Sequence, residues 1–348
     1  MAKIHKPLAQ LSFRHDCERS SQGVHLMTIR ATRKRAFLHA FTSAPSTAAA
    51  SPEPALPPRA WRATARHYFT ITKPRIIPLL LITTLCAMCI ASDHLPSRGL
   101  VLVTMLAGAF MAGGSHAINA YIDRDIDHLM QRTRSRPVVS GQIPATHALV
   151  FGIALGALGF ALYAVFVNLL TALLGLAGLL FYVFVYSLWL KRITVQNIVI
   201  GGAAGAFPPL VGWAAVANHL SPAAVVLFAI IFLWTPPHFW ALALVMRKDY
   251  AEAGIPMLPV VVGEARTVRQ IGVYTVLLVV ATLLLAVGNG MGTVYLAGAV
   301  LLGVGFGYYV VRLAREGGNR AAKRLFHYSN AYLALLFLLM VIDRFVRH

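Results

Sequence analysis

Nine apolar stretches follow one another along the chain from about residue 75 onward, separated by short polar segments. A helix needs roughly 20 apolar residues to cross a hydrocarbon core about 30 Å thick. The first stretch is shorter than that, and we expect its helix to extend back over Tyr68–Thr72. The pattern therefore predicts an all-α, polytopic membrane protein with nine transmembrane helices. We predict them near residues 76–92, 99–121, 146–166, 168–189, 195–217, 222–245, 268–287, 292–312 and 326–343.

The composition excludes most other classes of protein. Of the 348 residues, 58% are hydrophobic and only 12% are charged, whereas a soluble domain carries roughly 25% charged residues. The mean hydropathy of +0.67 agrees. A soluble enzyme and a disordered chain are therefore excluded, and three cysteines are too few for a disulfide framework.

The formal net charge of +19 is spread between the apolar stretches rather than gathered in one patch. We therefore expect this positively charged chain to reside in a lipid bilayer, and we expect no nucleic-acid partner. With the N-terminus in the cytoplasm, 28 lysines and arginines fall on the cytoplasmic side and three on the other. This asymmetry satisfies the positive-inside rule, which predicts the cytoplasmic membrane of a bacterium with the polar loops inside.

Residues 1–66 form a basic segment with few acids, and residues 67–348 form the predicted membrane domain. Three interpretations of the segment remain open: a disordered cytosolic extension, a start codon assigned upstream of Met27, or an organellar transit peptide. We favour the first two. The third would place the protein in the mitochondrial inner membrane.

Three oxygen-bearing side chains recur at a spacing of four where the second helix ends. Asn119, Asp123 and Asp127 lie at i, i+4 and i+8, so a continuing helix stacks them on one face. Such a stripe suits Mg²⁺, which prefers a few carboxylates, water and substrate phosphate. The alternative is a solvated helix end. Asp125 points elsewhere, and we expect it to pair with Arg124 or Arg132.

Basic residues follow the acidic stripe immediately and recur in the other loops on the same side. Carboxylates followed by guanidinium groups are what a Mg²⁺–diphosphate complex requires, because the arginines neutralise the remaining phosphate oxygens. Taken one at a time, the basic residues of the other loops are typical of topogenic charge. We predict that the diphosphate-binding residues are Lys73, Arg132, Arg136, Lys191, Arg192 and Lys248.

His238 lies within the sixth predicted helix, next to Pro236 and Pro237 and between aromatic residues. Two prolines should kink the helix and open a cavity beside the imidazole. We regard His238 as a candidate for binding a large aromatic or haem-like substrate. The alternatives are a packing histidine and a residue at the membrane interface.

The chain resembles the UbiA superfamily of intramembrane prenyltransferases over about residues 70 to 345. The acidic stripe with the following basic run indicates the superfamily only, whereas the segments around His238 and Asp249 are most similar to its haem-farnesylating members. The segments that carry the resemblance are Thr72–Arg75, Asn119–Asp127, Met130–Pro137, Leu190–Asn197, Gly201–Trp213, Thr235–Ala243 and Asp249–Val260.

The resemblance implies nine helices around a central cavity and Mg²⁺-dependent transfer of farnesyl from farnesyl diphosphate to haem B, giving haem O. It implies catalytic roles for Asp123, Asp127 and Asp249, with Asn119 as a further metal ligand. It also implies a haem A synthase or a terminal-oxidase assembly as downstream partner. The second acidic motif departs from the family pattern, because position 253 is Ala and Glu252 lies one residue earlier.

Three other functions remain as alternatives. A UbiA-type enzyme could prenylate an aromatic or quinone precursor instead of haem. A transporter would carry acids near the middle of its spans, whereas the acids here gather at one face. A non-catalytic assembly protein would need neither the acids nor the cations.

Overall fold

A computed structural model describes residues 60–92, 94–288 and 291–347. All regular secondary structure in these residues is helical. The helices are α1 (Ala60–Ile71), α2 (Ile77–Ile90), α3 (Arg98–Ile122), α4 (Arg124–Asp127), α5 (Ala145–Phe166), α6 (Leu169–Leu180), a π-helix (Phe181–Leu190), α7 (Lys191–Ile193), α8 (Asn197–Gly201), α9 (Ala203–Ala217), α10 (Pro222–Val245), α11 (Arg247–Glu252), α12 (Leu258–Val261), α13 (Glu264–Gly288), α14 (Thr293–Glu316) and α15 (Gly318–Arg347).

All nine predicted apolar segments are helical, so the predicted fold class is confirmed. Within the described ranges, eight helical segments are long and apolar enough to cross a membrane. The ninth, α2, has only 14 residues and is shorter than the roughly 20 that a perpendicular span needs. The chain is therefore a multi-pass membrane protein in which α2 is an unusually short helix.

The predicted backward extension of α2 over Tyr68–Thr72 is wrong, because the chain breaks between α1 and α2. Lys73 adopts a left-handed backbone conformation with φ of 53°, and Pro74 follows it. The two helices are therefore separate. Residues 60–66, which we assigned to the basic N-terminal segment, are the first turns of α1. The rest of that segment lies outside the described residues.

Polar residues cap the starts of several long helices. The Ser97 hydroxyl accepts a hydrogen bond from the backbone N–H of Leu100 at the start of α3, and Ser221 does the same at the start of α10. Asn168 caps α6 and separates it from α5 by a brief turn, as the sequence predicts. Such caps satisfy backbone donors that the helix itself leaves unpaired.

Small residues let neighbouring helices approach closely around the site. α3 packs on α5 where Gly114 faces Gly152; a Cβ atom on Gly114 would lie 2.6 Å from the Gly152 carbonyl oxygen. The largest buried apolar cluster joins α10 with α13, α14 and α15, and its members include Ile230, Phe306 and Leu333. Close packing through small residues is the usual basis of helix association in membranes.

Candidate active site

A cavity of about 680 Å³ lies between the helices. Charged and amide side chains form one part of its wall, including Asn119, Asp123 and Lys191. Apolar and aromatic side chains from the helix interiors, among them Val211 and Trp234, form most of the remainder. A single cavity of this kind can hold a charged group and an apolar group side by side.

Asn119, Asp123 and Asp127 all line this cavity. α3 ends at Ile122, but its hydrogen-bonding pattern continues: Asp123 N–H donates to Asn119 O at 2.9 Å, and Asp127 N–H donates to Asp123 O at 2.8 Å. The three side chains therefore lie on one face, as their spacing predicts. Each is at most 2% exposed.

A cationic side chain binds each member of this acidic stripe. Lys73 Nζ donates to Asn119 Oδ1 at 2.6 Å, Lys191 Nζ donates to Asp123 Oδ2 at 2.5 Å, and the Arg136 guanidinium donates to Asp127 Oδ2. Carboxylates four residues apart on a helix repel each other. In this structure the protein's own cations offset that repulsion, and they come from three separate loops.

One carboxylate oxygen of the stripe is left without a hydrogen bond. Asp123 Oδ1 is buried and accepts none from the described residues; the Arg192 guanidinium is 4.0 Å away. A buried, unpaired carboxylate oxygen is costly unless a ligand binds it. Among the described residues, no three His, Cys, Asp or Glu side chains are grouped to hold a metal ion. The amide of Asn119 is a further oxygen donor on the same face as Asp123 and Asp127.

The predicted partner of Asp125 is wrong. Asp125 is bound by Arg192, whose two terminal nitrogens donate to its two oxygens at 2.5 and 2.7 Å. Arg124 instead donates to the backbone oxygen of Tyr121 and lies over the ring of that tyrosine. Arg192 is 67 positions away in sequence, so only the packing of α7 beside α4 brings the pair together.

The π-helix Phe181–Leu190 supplies residues that the sequence analysis missed. Ser187 is fully buried; its hydroxyl donates to the carbonyl of Tyr182 and accepts a 3.0 Å hydrogen bond from Asn119 Nδ2. Tyr182 and Tyr186 stack on one another and line the cavity. π-Helical turns are rare and frequently occur at functional sites. The apolar run that encodes this one gives no periodic signal to distinguish it from an α-helix.

The loop after α4 places Arg132 and Arg136 in the cavity wall. The Thr133 hydroxyl donates to the carbonyl of Asp127 at 2.9 Å and folds the loop back toward the stripe. Tyr250, from α11, also lines the cavity. Burial raises the pKa of Tyr250, and the nearby positive charges of Arg132 and Arg136 partly offset that rise.

Three predicted site residues do not line the cavity. Arg192 binds Asp125 instead, and its role in diphosphate binding stays a prediction. Lys248 is exposed and Asp249 is half-buried on α11, and neither belongs to the cavity wall. Their neighbour Tyr250 does. The roles of Asp249 in a second metal motif and of Lys248 in diphosphate binding stay predictions.

The charged cluster alters the pKa of two of its members. Burial lowers the pKa of Lys73 to about 7, and the positive charge of Arg136 adds to the effect. Burial alone would raise the pKa of Asp123, but the positive charges of Lys191, Lys73 and Arg192 outweigh it and hold that pKa below its usual value. Asp123 is therefore a carboxylate at neutral pH.

Two histidines face the same cavity. His238 is stacked against Trp234 and Phe326 and hydrogen-bonded through Nδ1 to Ser329. His116, which the sequence analysis did not single out, lies one helical turn before Asn119. Neither of its ring nitrogens has a hydrogen-bond partner among the described residues.

The profile of the UbiA prenyltransferase family matches residues 80–331. The chain belongs to the UbiA prenyltransferase family. The matched region contains the acidic stripe, Lys191, His238 and the second acidic motif. The matched region therefore includes most of the helices that enclose the cavity. The resemblance inferred from the motifs is confirmed.

Curated relatives in this family carry the name protoheme IX farnesyltransferase. The protein of that name from Synechocystis sp. is 52% identical over 283 residues, which cover 81% of this chain and 90% of the relative. The protein from Roseiflexus sp. is 53% identical over 281 residues, which cover 81% of this chain but 53% of the relative. This chain thus spans about half the length of the Roseiflexus protein.

Solved structures share the UbiA fold. One, from work on digeranylgeranylglyceryl phosphate synthase, has a TM-score of 0.67 at 21% identity and covers 81% of this chain and 99% of its own. A UbiA homologue from Archaeoglobus fulgidus, solved bound to GPP and Mg²⁺, has a TM-score of 0.55 at 18% identity, covering 79% and 99%. At these identities the likeness establishes the fold.

Proposed function

We propose that this UbiA-family protein transfers the farnesyl group of farnesyl diphosphate to a vinyl group of protohaem IX. Water adds in the same reaction, and the products are haem O and diphosphate. The name of relatives that share about half of their residues with this chain supports this choice of substrates. One structural observation carries the proposal: oxygen donors and cations meet in one part of an otherwise largely apolar cavity.

Mg²⁺ is the metal that these residues fit. Asp123 Oδ1 is a buried carboxylate oxygen without a hydrogen-bond partner, and Mg²⁺ prefers oxygen ligands together with substrate phosphate. Asn119, Asp123 and Asp127 would hold the ion, and Asp249 is the candidate from the second motif. When bound, the ion stabilises negative charge on the diphosphate as a Lewis acid. The homologue solved with GPP and Mg²⁺ is consistent with this choice.

The cationic residues act on the leaving group. In the proposed reaction the C1–O bond of farnesyl diphosphate breaks, and its electron pair leaves with the diphosphate. When the substrate binds, and before this bond breaks, Lys73, Arg136 and Lys191 exchange their present amide and carboxylate partners for phosphate oxygens. Cations held in place where charge develops lower the barrier, because they need little reorganisation in the transition state.

The apolar wall protects the reactive carbon and receives both apolar groups. The vinyl group supplies the electron pair for the new carbon–carbon bond to C1 of farnesyl. Water then adds to the cation that remains beside the porphyrin, and a proton is released. Side chains such as Phe207 and Val211 exclude bulk water, so the farnesyl cation is not hydrolysed before it meets the vinyl group. His238 lies on the proposed haem side.

We infer that the charged part of the cavity faces the cytoplasm of a bacterium, because its cations lie on the side of the membrane that carries 28 of the 31 lysines and arginines when the N-terminus is cytoplasmic. The mitochondrial inner membrane is the alternative location. The product would pass to a haem A synthase or to a terminal-oxidase assembly.

A membrane assay tests the proposal. Membranes containing the full chain are supplied with haem B and farnesyl diphosphate, and the pigments are analysed by mass. We expect haem O, its loss on addition of EDTA, and its recovery with excess Mg²⁺. Prenylation of a quinone or aromatic precursor instead of haem would assign the chain to another UbiA activity.

The assay includes one matched pair of variants. Asp123→Asn removes the buried charge that we assign to the metal, whereas Asp125→Asn changes a half-exposed carboxylate two residues later that does not line the cavity. We expect Asp123→Asn to lower haem O formation by about 100-fold or more, on the scale of a lost transition-state contact. Full activity in Asp123→Asn would rule out the metal role.

A further inference from the structure

His238 lines the cavity and has one ring nitrogen without a hydrogen bond among the described residues. Its side chain is only 7% exposed, and it belongs to the cavity wall in the middle part of α10. Nδ1 bonds to Ser329, whereas Nε2 has no hydrogen-bond partner among the described residues. A ring nitrogen left without a partner beside a cavity is available to bind a ligand there.

Hydrogen bonds fix which nitrogen carries the proton. The Ser329 hydroxyl donates to the carbonyl of Phe326 at 2.7 Å, and a carbonyl can only accept. The hydroxyl has one proton, so its oxygen must accept the 2.7 Å hydrogen bond from His238 Nδ1. Nδ1 is therefore the N–H, and Nε2 carries a free lone pair. This is the arrangement that orients a metal-binding histidine, whose other nitrogen donates to a fixed acceptor.

Aromatic rings hold the imidazole on both faces. The Trp234 ring lies 4.2 Å from it at 19°, and the Phe326 ring lies 4.6 Å from it at 26°. Trp234 is itself anchored, because its Nε1 donates to the backbone oxygen of Ser329 at 2.7 Å. The Phe239 ring makes an edge contact with the imidazole, with 5.1 Å between the centroids. With both faces covered and Nδ1 bound, Nε2 is the ring nitrogen left for a ligand.

We propose that Nε2 of His238 is the axial ligand of the iron of the haem substrate. The inference rests on the proposed function, from which it takes the identity of the substrate. A neutral imidazole is the commonest protein ligand of haem iron, and the aromatic surroundings suit a porphyrin. His238 is thereby a positioning residue: it holds the iron inside the cavity so that the vinyl-bearing edge of the porphyrin can meet the farnesyl carbon.

The second cavity histidine is less suited to this role. His116 lies one turn from Asn119, in the part of the cavity that we assign to the diphosphate. Neither of its nitrogens is fixed by a hydrogen bond within the described residues, so no acceptor orients its ring. It therefore provides a matched control within the same cavity.

Spectroscopy of bound haem tests the assignment directly. The full chain in lipid nanodiscs is titrated with ferric haem B, and absorption and electron paramagnetic resonance spectra are recorded. We expect the signature of an imidazole-ligated iron in the wild type and in His116→Ala. We expect its loss in His238→Ala, with recovery when free imidazole is added. Loss of the signature in His116→Ala, or its retention in His238→Ala, would overturn the proposal.

Two further variants separate ligation from folding. His238→Asn keeps an N–H donor for Ser329 but lacks the Nε2 lone pair, so we expect a folded protein without the signature. Ser329→Ala removes the orienting acceptor, together with the hydroxyl's own bond to Phe326 O. We expect haem affinity to fall by about tenfold, the effect of losing an outer partner of a metal ligand. A wild-type spectrum in His238→Asn would contradict the assignment.

Turnover in the same preparations distinguishes this proposal from the proposed function. A positioning role predicts that His238→Asn raises the KM for haem and leaves the KM for farnesyl diphosphate unchanged. If the wild type forms no farnesylated haem but its spectrum depends on His238, the proposed function fails and the ligand assignment stands. If farnesylated haem forms and the spectrum is the same without His238, only the ligand assignment fails.

Discussion

Lys191 donates a 2.5 Å hydrogen bond to Asp123 Oδ2, the same oxygen that accepts a 2.8 Å hydrogen bond from Asn119. The lysine follows the π-helix directly, and the aspartate follows α3, so the contact joins two loops that are 68 positions apart. Both side chains are mostly buried. Contacts within the protein thus hold the charged part of the cavity together.

Lys191→Met should destabilise the protein and nearly abolish haem O formation. It leaves Asp123 buried with one cation fewer, and removing one partner of a buried ion pair costs about 3–5 kcal/mol. Thermal unfolding in detergent and the pigment assay measure the two effects. Lys323→Met is the control, because Lys323 is an exposed lysine on α15. Equal effects of the two substitutions would contradict the importance of the buried pair.

Ser187→Ala should lower activity about fivefold without unfolding the protein. The hydroxyl accepts from Asn119 Nδ2 at 3.0 Å, and a lost buried hydrogen bond is worth roughly 1 kcal/mol, somewhat less than a factor of ten. Ser140→Ala removes a hydroxyl that bonds only to the nearby backbone and should be silent. Initial rates at several Mg²⁺ concentrations provide the measurement. An unchanged Mg²⁺ requirement in Ser187→Ala would show that this serine does not position Asn119.

Asp249→Asn tests the second acidic motif. If Asp249 contributes to metal binding, its loss should raise the Mg²⁺ concentration needed for half-maximal activity by about 10-fold or more. Glu252→Gln, which changes an exposed acid on the same short helix, should leave that concentration unchanged. If only Glu252→Gln raised the Mg²⁺ requirement, Glu252 and not Asp249 would be the metal ligand. If neither substitution changed that requirement, the second acidic motif would have no part in metal binding.

Gly212→Ala should reduce stability by about 1–3 kcal/mol, the usual cost of overpacking. A Cβ atom there would lie 2.1 Å from the carbonyl oxygen of Thr84, so α9 and α2 would have to separate. Gly205→Ala, on the same helix, meets nothing within 4 Å and should be neutral. Thermal unfolding of both variants measures the difference. If Gly205→Ala lost as much stability as Gly212→Ala, the cause would be a change within α9 and not a clash between α9 and α2.

Asp343→Asn should lower stability by about 1 kcal/mol and leave farnesyl transfer intact. Asp343 is 1% exposed and accepts hydrogen bonds from the backbone N–H groups of Gly292 and Tyr295, where α14 begins. A carboxylate at a helix N-terminus stabilises the helix through these donors and the helix dipole. Glu316→Gln, at an exposed helix end, provides the control for charge alone. Loss of activity at unchanged stability would contradict this structural role.

Several parts of the site could be predicted from the sequence because they are local. Asn119, Asp123 and Asp127 are four residues apart, and the helix period alone puts them on one face. Arg132 and Arg136 follow within the same loop, so they reach the cavity through a short connection. The helices were predictable for a similar reason: long apolar runs must satisfy their backbone within the segment when no water is available.

Other parts could not be predicted because they depend on contacts between distant segments. The sequence predicted Arg124 or Arg132 as the partner of Asp125, because both are close to it in the chain. The partner is Arg192, from another helix, which makes two hydrogen bonds to the carboxylate, and such paired hydrogen bonds are strong. The π-helix and its Ser187 also escaped prediction. An apolar run in a membrane carries the same composition in either helical form.

The sequence by itself determined that this protein is an all-helical membrane protein with an acidic stripe and cations at the helix ends, because hydropathy and helical period act over a few residues. Only the tertiary structure decided which cation binds which carboxylate, which oxygen of Asp123 is left unpaired, and which nitrogen of His238 bonds to Ser329. These depend on distances between side chains far apart in the chain, and such distances are set by the packing of whole helices.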